Sequence, residues 1–164
     1  MIEAVTGGEP LVLLQPTERG PLDEVRDLVI RVAGAEVNMA MGLSRLDIDT
    51  GFLGAVGDDP LGRRVRKTLA GEQVDCSGLH RLSAPTGVFF KEWYGLGLDP
   101  NVYYYRHDSA GSRWAYDPAA WPLPDSARWL HTSGITLMVG HSPRDSAVTL
   151  ARTLAARGAY HRRI

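Results

Sequence analysis

Short runs of aliphatic, β-branched and aromatic residues alternate along this chain with segments of helical periodicity, an order that implies an α/β fold on a mainly parallel sheet. Two units carry that inference. Thr50 to Gly57 is an apolar, glycine-spaced strand pattern followed at once by Asp58-Asp59-Pro60 and a helical stripe. Further on, the short strand pattern Trp129 to Thr132 precedes Ser142-Pro143-Arg144-Asp145, which opens a second well-signalled helix. With 164 residues, 44% of them hydrophobic, the chain can bury the core of one ordinary domain.

Taken from the start, Ile2 to Val5 and Leu11 to Leu14 are strand-sized apolar runs split by Gly7-Gly8-Glu9-Pro10, so the chain changes direction sharply and Glu9 sits at a strand end. Val25 to Val32 alternates imperfectly and suits a strand with one wet face. From Ala35 to Leu46, small or apolar residues recur at Val37, Ala40, Met41 and Ser44 and at Met39, Leu43 and Leu46, which predicts a helix apolar over most of its circumference, inside an α/β layer. Thr50 to Gly57 fits a central strand, its glycines placed where backbones approach closely. Asp59 then supplies a carboxylate cap, Pro60 a first helical position, and Leu61, Val65 and Leu69 a stripe that stops at Gly71. Thr86 to Trp93 and Asn101 to Arg106 form a hairpin outside the main sheet, joined by the longer loop Gly95 to Pro100. Pro118 to Pro124 is an irregular connection with a helical turn at most. The last helix carries Ala147, Val148, Leu150, Ala151 and Leu154 and closes at Gly158.

Composition removes several classes of function. Lys+Arg 18 against Asp+Glu 19 leaves a formal charge of -1, so no bulk basic field gathers nucleic acid or an anionic membrane. No apolar run approaches the roughly 20 residues of a membrane-spanning helix. A single Cys76 makes no intrachain disulfide and Met1 to Pro10 has no leader character, which points to a reducing cytoplasm. Lys67-Thr68 follows Arg66 rather than the glycine a phosphate-binding loop requires. Gly51, Gly54 and Gly57 lie within a strand pattern rather than in the strand-to-helix turn of a dinucleotide site, which argues against a nicotinamide oxidoreductase. The five histidines form no paired metal-ligand pattern.

Two distant segments carry the chemistry. Ala33-Gly34-Ala35-Glu36-Val37-Asn38 sets a backbone turn against a helix start with an amide one turn in, although such an amide also ties down local backbone. Tyr103 to Ser112 places aromatics beside a guanidinium. Tyr104 and Arg106 project from one side of a strand and can line one concavity, where Arg106 holds a carboxylate through paired hydrogen bonds. Elsewhere an arginine at a strand end is a solvated surface residue. The pair of segments points to a sugar-acid site.

With these residues in place, the chain resembles the N-terminal portion of PfkB-type, ribokinase-like carbohydrate kinases, and within them the 2-keto-3-deoxygluconate kinases. The similarity runs from about Val5 to Gly158. It rests on Gly8-Glu9, Gly34-Ala35-Glu36-Val37-Asn38, Val56-Gly57-Asp58-Asp59-Pro60-Leu61-Gly62, Thr86-Gly87, Tyr104-Tyr105-Arg106, Ser109-Ala110-Gly111-Ser112 and Leu130 to Thr136. The resemblance implies a three-layer α/β/α domain with a small β lid over the substrate, the lid strands lying at about residues 11–15, 25–32, 86–93 and 101–106 of a single incomplete domain spanning 1–164. It also implies that Gly34 meets the substrate through its backbone, that Asn38 bonds a hydroxyl, and that Tyr104 and Arg106 reach the carboxylate end, with Glu9 a further substrate contact. Phe89 stands where such kinases commonly carry tyrosine, which keeps a stacking wall and removes a hydroxyl. Ala33 replaces a frequent glycine.

In that family, ATP and Mg2+ serve a catalytic Asp in a later Gly-Ala-Gly-Asp segment, whose glycines steady the transferred phosphoryl group at a helix N-terminus. This chain runs from Gly158 through Ala159-Tyr160-His161-Arg162-Arg163-Ile164 without such a segment. The expectation is therefore a truncated sugar kinase chain holding the sugar-binding half, with no catalytic residue of its own, no tight ATP binding and poor solubility without a partner chain. A reading-frame change, a gene remnant or a cut fragment would produce that ending. The alternative is a non-catalytic sugar-acid-binding module or one that forms a homodimer through the β lid.

Overall fold

A computed structural model describes residues 1–94 and 99–158 of the chain. Among these described residues, eight strands, four α-helices and one 3₁₀ turn follow in the order β1 (Ala4–Gly7), β2 (Leu11–Pro16), β3 (Leu28–Ala33), α1 (Ala35–Ser44), β4 (Thr50–Gly57), α2 (Pro60–Gly71), β5 (Leu79–Leu82), β6 (Val88–Lys91), β7 (Val102–Tyr105), the turn Gly111–Arg113, β8 (Trp129–His131), α3 (Gly134–Val139) and α4 (His141–Ala156). They build two sheets. The first has the order β5-β4-β1-β8 and every pairing in it is parallel. The second has the order β3-β2-β6-β7, with β2 parallel to β6 and antiparallel to β3, and β6 antiparallel to β7.

Strand β4 shows why the first sheet is central. All its residues are buried, and successive side chains alternate between two cores. Phe52 and Val56 join Val37, Ala40, Val65 and Leu69 of α1 and α2. Leu53 and Ala55 join Trp114, Trp121, Leu150 and Leu154 on the opposite face, under α4. The sheet is thus sandwiched between helices, as the strand and helix patterns imply.

Helix α2 follows its sequence signals closely. Asp59 caps it by accepting from the Gly62 amide at 2.7 Å, Pro60 occupies the first turn, and Val65 and Leu69 are buried. The same carboxylate also accepts from the Thr86 amide at 2.8 Å and the Thr86 hydroxyl at 2.9 Å, so one residue joins the α2 start to the entry of β6. Burial works against that carboxylate's charge, yet the hydrogen bonds from Gly62 and Thr86 outweigh it and hold Asp59 below the usual carboxylate range.

Other elements depart from expectation. Strand β3 begins at Leu28 rather than Val25, because its register sets Leu28 opposite Pro16, and as an edge strand it stays exposed through Arg31 instead of showing one wet face. Helix α1 ends at Ser44 and fully buries only Glu36, Val37 and Ala40, so it presents a narrow stripe to the core and leaves Leu46 exposed beyond its end. Strand β5 and helix α3 carry no sequence expectation. In the lid-like sheet, buried Glu92 accepts from the Leu22 amide at 3.0 Å, Tyr94 Oη at 2.6 Å and Asn101 Nδ2 at 2.8 Å, tying the β2–β3 connection to the β6–β7 hairpin. Gly95 to Leu98 of the hairpin loop and Ala159 to Ile164 lie outside the described residues.

Candidate functional site

The order β5-β4-β1-β8 places β1 between a strand that follows it directly in the sheet's winding and one reached much later. The crevice outside the carboxyl ends of β1 and β8 is therefore the place where a parallel α/β sheet accommodates ligands. Glu9 leaves the end of β1, and Ser133, Gly134 and Ile135 leave the end of β8. The second sheet leans over this crevice through β6 and β7. Between them is a hollow of about 170 Å³ lined by Glu9, Gly34, Asn38, Phe89, Tyr104 and Arg106, together with Leu11, Ala33, Ala35, Glu36 and Ile135. All six sequence-derived candidates meet there, from four well-separated stretches of chain. A wider hollow of about 910 Å³ adjoins it, shares Tyr104, Arg106 and Ile135, and continues past His107, Asp108 and Arg113 toward α3.

Backbone geometry fixes the α1 side. Gly34 has φ 127°, a conformation side chains disfavour, and a Cβ there would come within 2.9 Å of the Glu9 carbonyl oxygen. Its own carbonyl accepts from the Asn38 amide at 2.9 Å and closes the first helical turn. Asn38 is exposed, and its side-chain amide makes no hydrogen bond among the described residues, so it is not consumed by local backbone. On the opposite wall, Phe89 and Tyr104 sit directly across the β6–β7 ladder and stack with ring centroids 5.4 Å apart. The Arg106 guanidinium carbon lies 5.4 Å from the Tyr104 ring centre.

Charge is concentrated at the floor. Arg106, with its side chain 17% exposed, forms an ion pair through Nη2 with Oε2 of Glu9, itself 3% exposed. Apart from that ion pair, Nε and Nη2 of Arg106 and Oε2 of Glu9 are buried without hydrogen-bond partners among the described residues. The other oxygen of Glu9 accepts from Ser109 Oγ. Burial pushes the Glu9 carboxyl above the usual carboxylate range, with Ser109 and Arg106 pulling the other way. Gly111 backs this group so closely that a Cβ would fall inside the Glu9 side chain.

Sequence reasoning did not assign Glu36, Ser109 or Ile135 to the site. Glu36 is 2% exposed and its Oε1 accepts from the Ser133 amide at 2.8 Å, Ser133 Oγ at 2.6 Å and Thr136 Oγ1 at 2.7 Å, fastening α1 to the β8–α3 turn. Its signal was a carboxylate between Gly34 and Asn38, facing the buried side of an otherwise apolar helix. Among the described residues no group of three or more His, Cys, Asp or Glu is arranged to hold a metal, and no helix is long and apolar enough to cross a membrane.

These features define an α/β protein with a small, guanidinium-floored hollow at the carboxyl ends of its parallel strands, covered by a second sheet. Residues 4–163 match the pfkB family of carbohydrate kinases, and the chain belongs to that family. It is similar to the 2-dehydro-3-deoxygluconokinases of Thermoproteus tenax (35% identical over 144 residues, 87% of this chain and 44% of the relative) and Bacillus subtilis strain 168 (38% over 138 residues, 82% and 42%). A solved PfkB protein from Polaromonas sp. JS666 superposes with a TM-score of 0.87 at 32% identity, covering 97% of this chain and 54% of that one. The chain thus spans about half the length of the curated relatives it matches.

Proposed function

We propose that this chain is the sugar-acid-binding half of a carbohydrate kinase, with 2-keto-3-deoxygluconate, also called 2-dehydro-3-deoxygluconate, as its ligand. The observation that carries the proposal is the convergence of Asn38, Phe89, Tyr104 and Arg106 on one hollow whose floor holds a buried guanidinium nitrogen, Nε, without an acceptor among the described residues. An unmet buried donor costs about 1–3 kcal/mol, and a ligand carboxylate at Arg106 removes that cost. Asn38 then supplies a free amide for a sugar hydroxyl, Gly34 lets the ligand approach the backbone, and the Phe89–Tyr104 stack forms an apolar wall for the carbon chain. The names of the two 2-dehydro-3-deoxygluconokinases support the same ligand class.

In the complete kinase the γ-phosphoryl group of ATP, with Mg2+, passes to a sugar hydroxyl. The residues of this chain position the acceptor. The base and anion hole are assigned to the length of the relatives that this chain does not span, and a cytoplasmic setting accompanies the reading. Saturation-transfer NMR with 2-keto-3-deoxygluconate, run beside a coupled assay with ATP and Mg2+, tests both parts. Transfer without turnover is the expected outcome. Turnover by the 164-residue chain would refute its inactivity, and absent transfer would refute the ligand assignment.

A second reading, a module that dimerises through the lid, is favoured by one observation. Leu28, Ile30, Val102, Tyr103 and Tyr105 are all exposed on the outer strands of the second sheet. Sedimentation velocity of Tyr103→Glu against the parent chain tests it: a dimer lost in the variant supports this reading, and a monomeric parent chain ends it.

A further inference from the structure

We infer that Glu9 is a positioning residue for Arg106 whose carboxylate takes up a proton when an anionic ligand enters the hollow. The inference rests on the sugar-acid reading and goes beyond it by assigning Glu9 a role other than ligand contact. Geometry carries it. Among the described residues two buried carboxylates, Glu9 and Glu36, and a single guanidinium, Arg106, line the same small hollow, so that the cluster formally carries one negative charge more than positive. A ligand carboxylate that engages the free Nε of Arg106 adds another, in a space with little water to screen it.

One group must give way, and the partners of the two carboxylates decide which. Glu36 accepts three hydrogen bonds, from a backbone amide and two hydroxyls of the β8–α3 turn, and none of these is touched by a ligand at Arg106. Glu9 has one hydroxyl, from Ser109, and its ion pair with Arg106, which is the pair the ligand disrupts. Among the described residues no histidine lines the hollow, and His107, Asp108 and Arg113 border only the wider neighbouring one. Among the described residues Glu9 is thus the group placed to accept a proton from solvent, becoming a neutral carboxyl while Arg106 keeps its charge and pairs with the ligand carboxylate instead. In the free protein the same carboxylate keeps the guanidinium over the floor, and Gly87 and Gly111 leave only enough room for it to lie against Arg106 and Ser109.

The test is calorimetric titration of the 164-residue chain with 2-keto-3-deoxygluconate, in phosphate and in Tris at matched pH, across about pH 6 to 8. The heat difference between the buffers counts protons. The chain should take up as much as about one proton per ligand, with affinity falling by up to about tenfold per pH unit on the alkaline side. Glu9→Gln should bind without proton uptake and without that slope. Ser109→Ala, which removes the bond holding Glu9 anionic, should move the uptake to higher pH, and this shift carries the test if Glu9→Gln does not fold. Binding with no proton uptake, uptake that persists in Glu9→Gln, or a Ser109→Ala profile identical to the parent would each overturn the inference and leave the sugar-acid reading standing. Absence of binding at every pH would instead overturn that reading, and this inference with it.

Discussion

Individual residues explain why this hollow has its shape. Gly34 holds a backbone conformation that strains any side chain, and its neighbour across the gap is the Glu9 carbonyl. Gly34→Ala should therefore destabilise the chain by about 1–3 kcal/mol, read from the urea midpoint at unchanged slope. Phe89 offers the converse case. It stacks on Tyr104 and turns an apolar edge without a hydroxyl to the hollow. Phe89→Tyr should tighten binding of 2-keto-3-deoxygluconate by roughly two- to tenfold, the worth of one net hydrogen bond, as measured by competition NMR. An unchanged or weaker affinity would mean that the ligand does not reach that wall. Arg106 and Asn38 were named as candidates from sequence because Tyr104 and Arg106 share one side of a strand and Asn38 lies one turn past Gly34, while the roles given to them came from the family resemblance. Glu9's pairing with Arg106 was not legible in sequence, since nearly a hundred residues separate them and only the two-sheet arrangement brings them together.

At the level of elements, local chemistry decides what could be anticipated. Helix α2 was readable to its last residue because its cap, its proline and its apolar stripe all act within the helix. Strand β5, Leu-His-Arg-Leu, was not, because what makes it a strand is parallel pairing with β4 rather than its own pattern. Helix α3 escaped notice for a related reason: Ser133 precedes it but spends its hydroxyl on Glu36 instead of capping the helix. Asp59 supports both α2 and the entry to the lid strand β6, so Asp59→Ala should cost about 1–2 kcal/mol in urea unfolding. Its pH dependence has a defined sign. The folded carboxyl binds its proton more weakly than the unfolded one, so its contribution is complete above about pH 3.9 and disappears as pH falls through the depressed folded value. Asp59→Asn should accordingly flatten the acid limb of the stability curve, and an unaltered limb would show that this carboxylate does not drive it.

Over the whole molecule, the side opposite β5 is the open one. Among the described residues strand β8 has a neighbour on one edge only, Trp129 on it is 62% exposed, and Met138 of the adjacent α3 is 83% exposed beside Ile135. An open parallel edge next to apolar side chains favours association. Sedimentation velocity at tens-of-micromolar concentration should show self-association that Met138→Glu with Trp129→Glu suppresses, whereas a parent chain that remains monomeric would contradict this. The mainly parallel character of the first sheet and the separate hairpin followed from the order of strand and helix patterns, while the strand order and the packing of one sheet over the other depended on contacts no local pattern records. That packing is what creates the hollow, and the affinity for an acidic sugar that we propose for it is the property on which the proposed function turns. Calorimetric titration of the chain and of Arg106→Ala with 2-keto-3-deoxygluconate decides it: saturable binding weakened roughly ten- to hundredfold by the substitution is expected from loss of a charge-assisted contact, and binding that is absent, or indifferent to Arg106, would refute it.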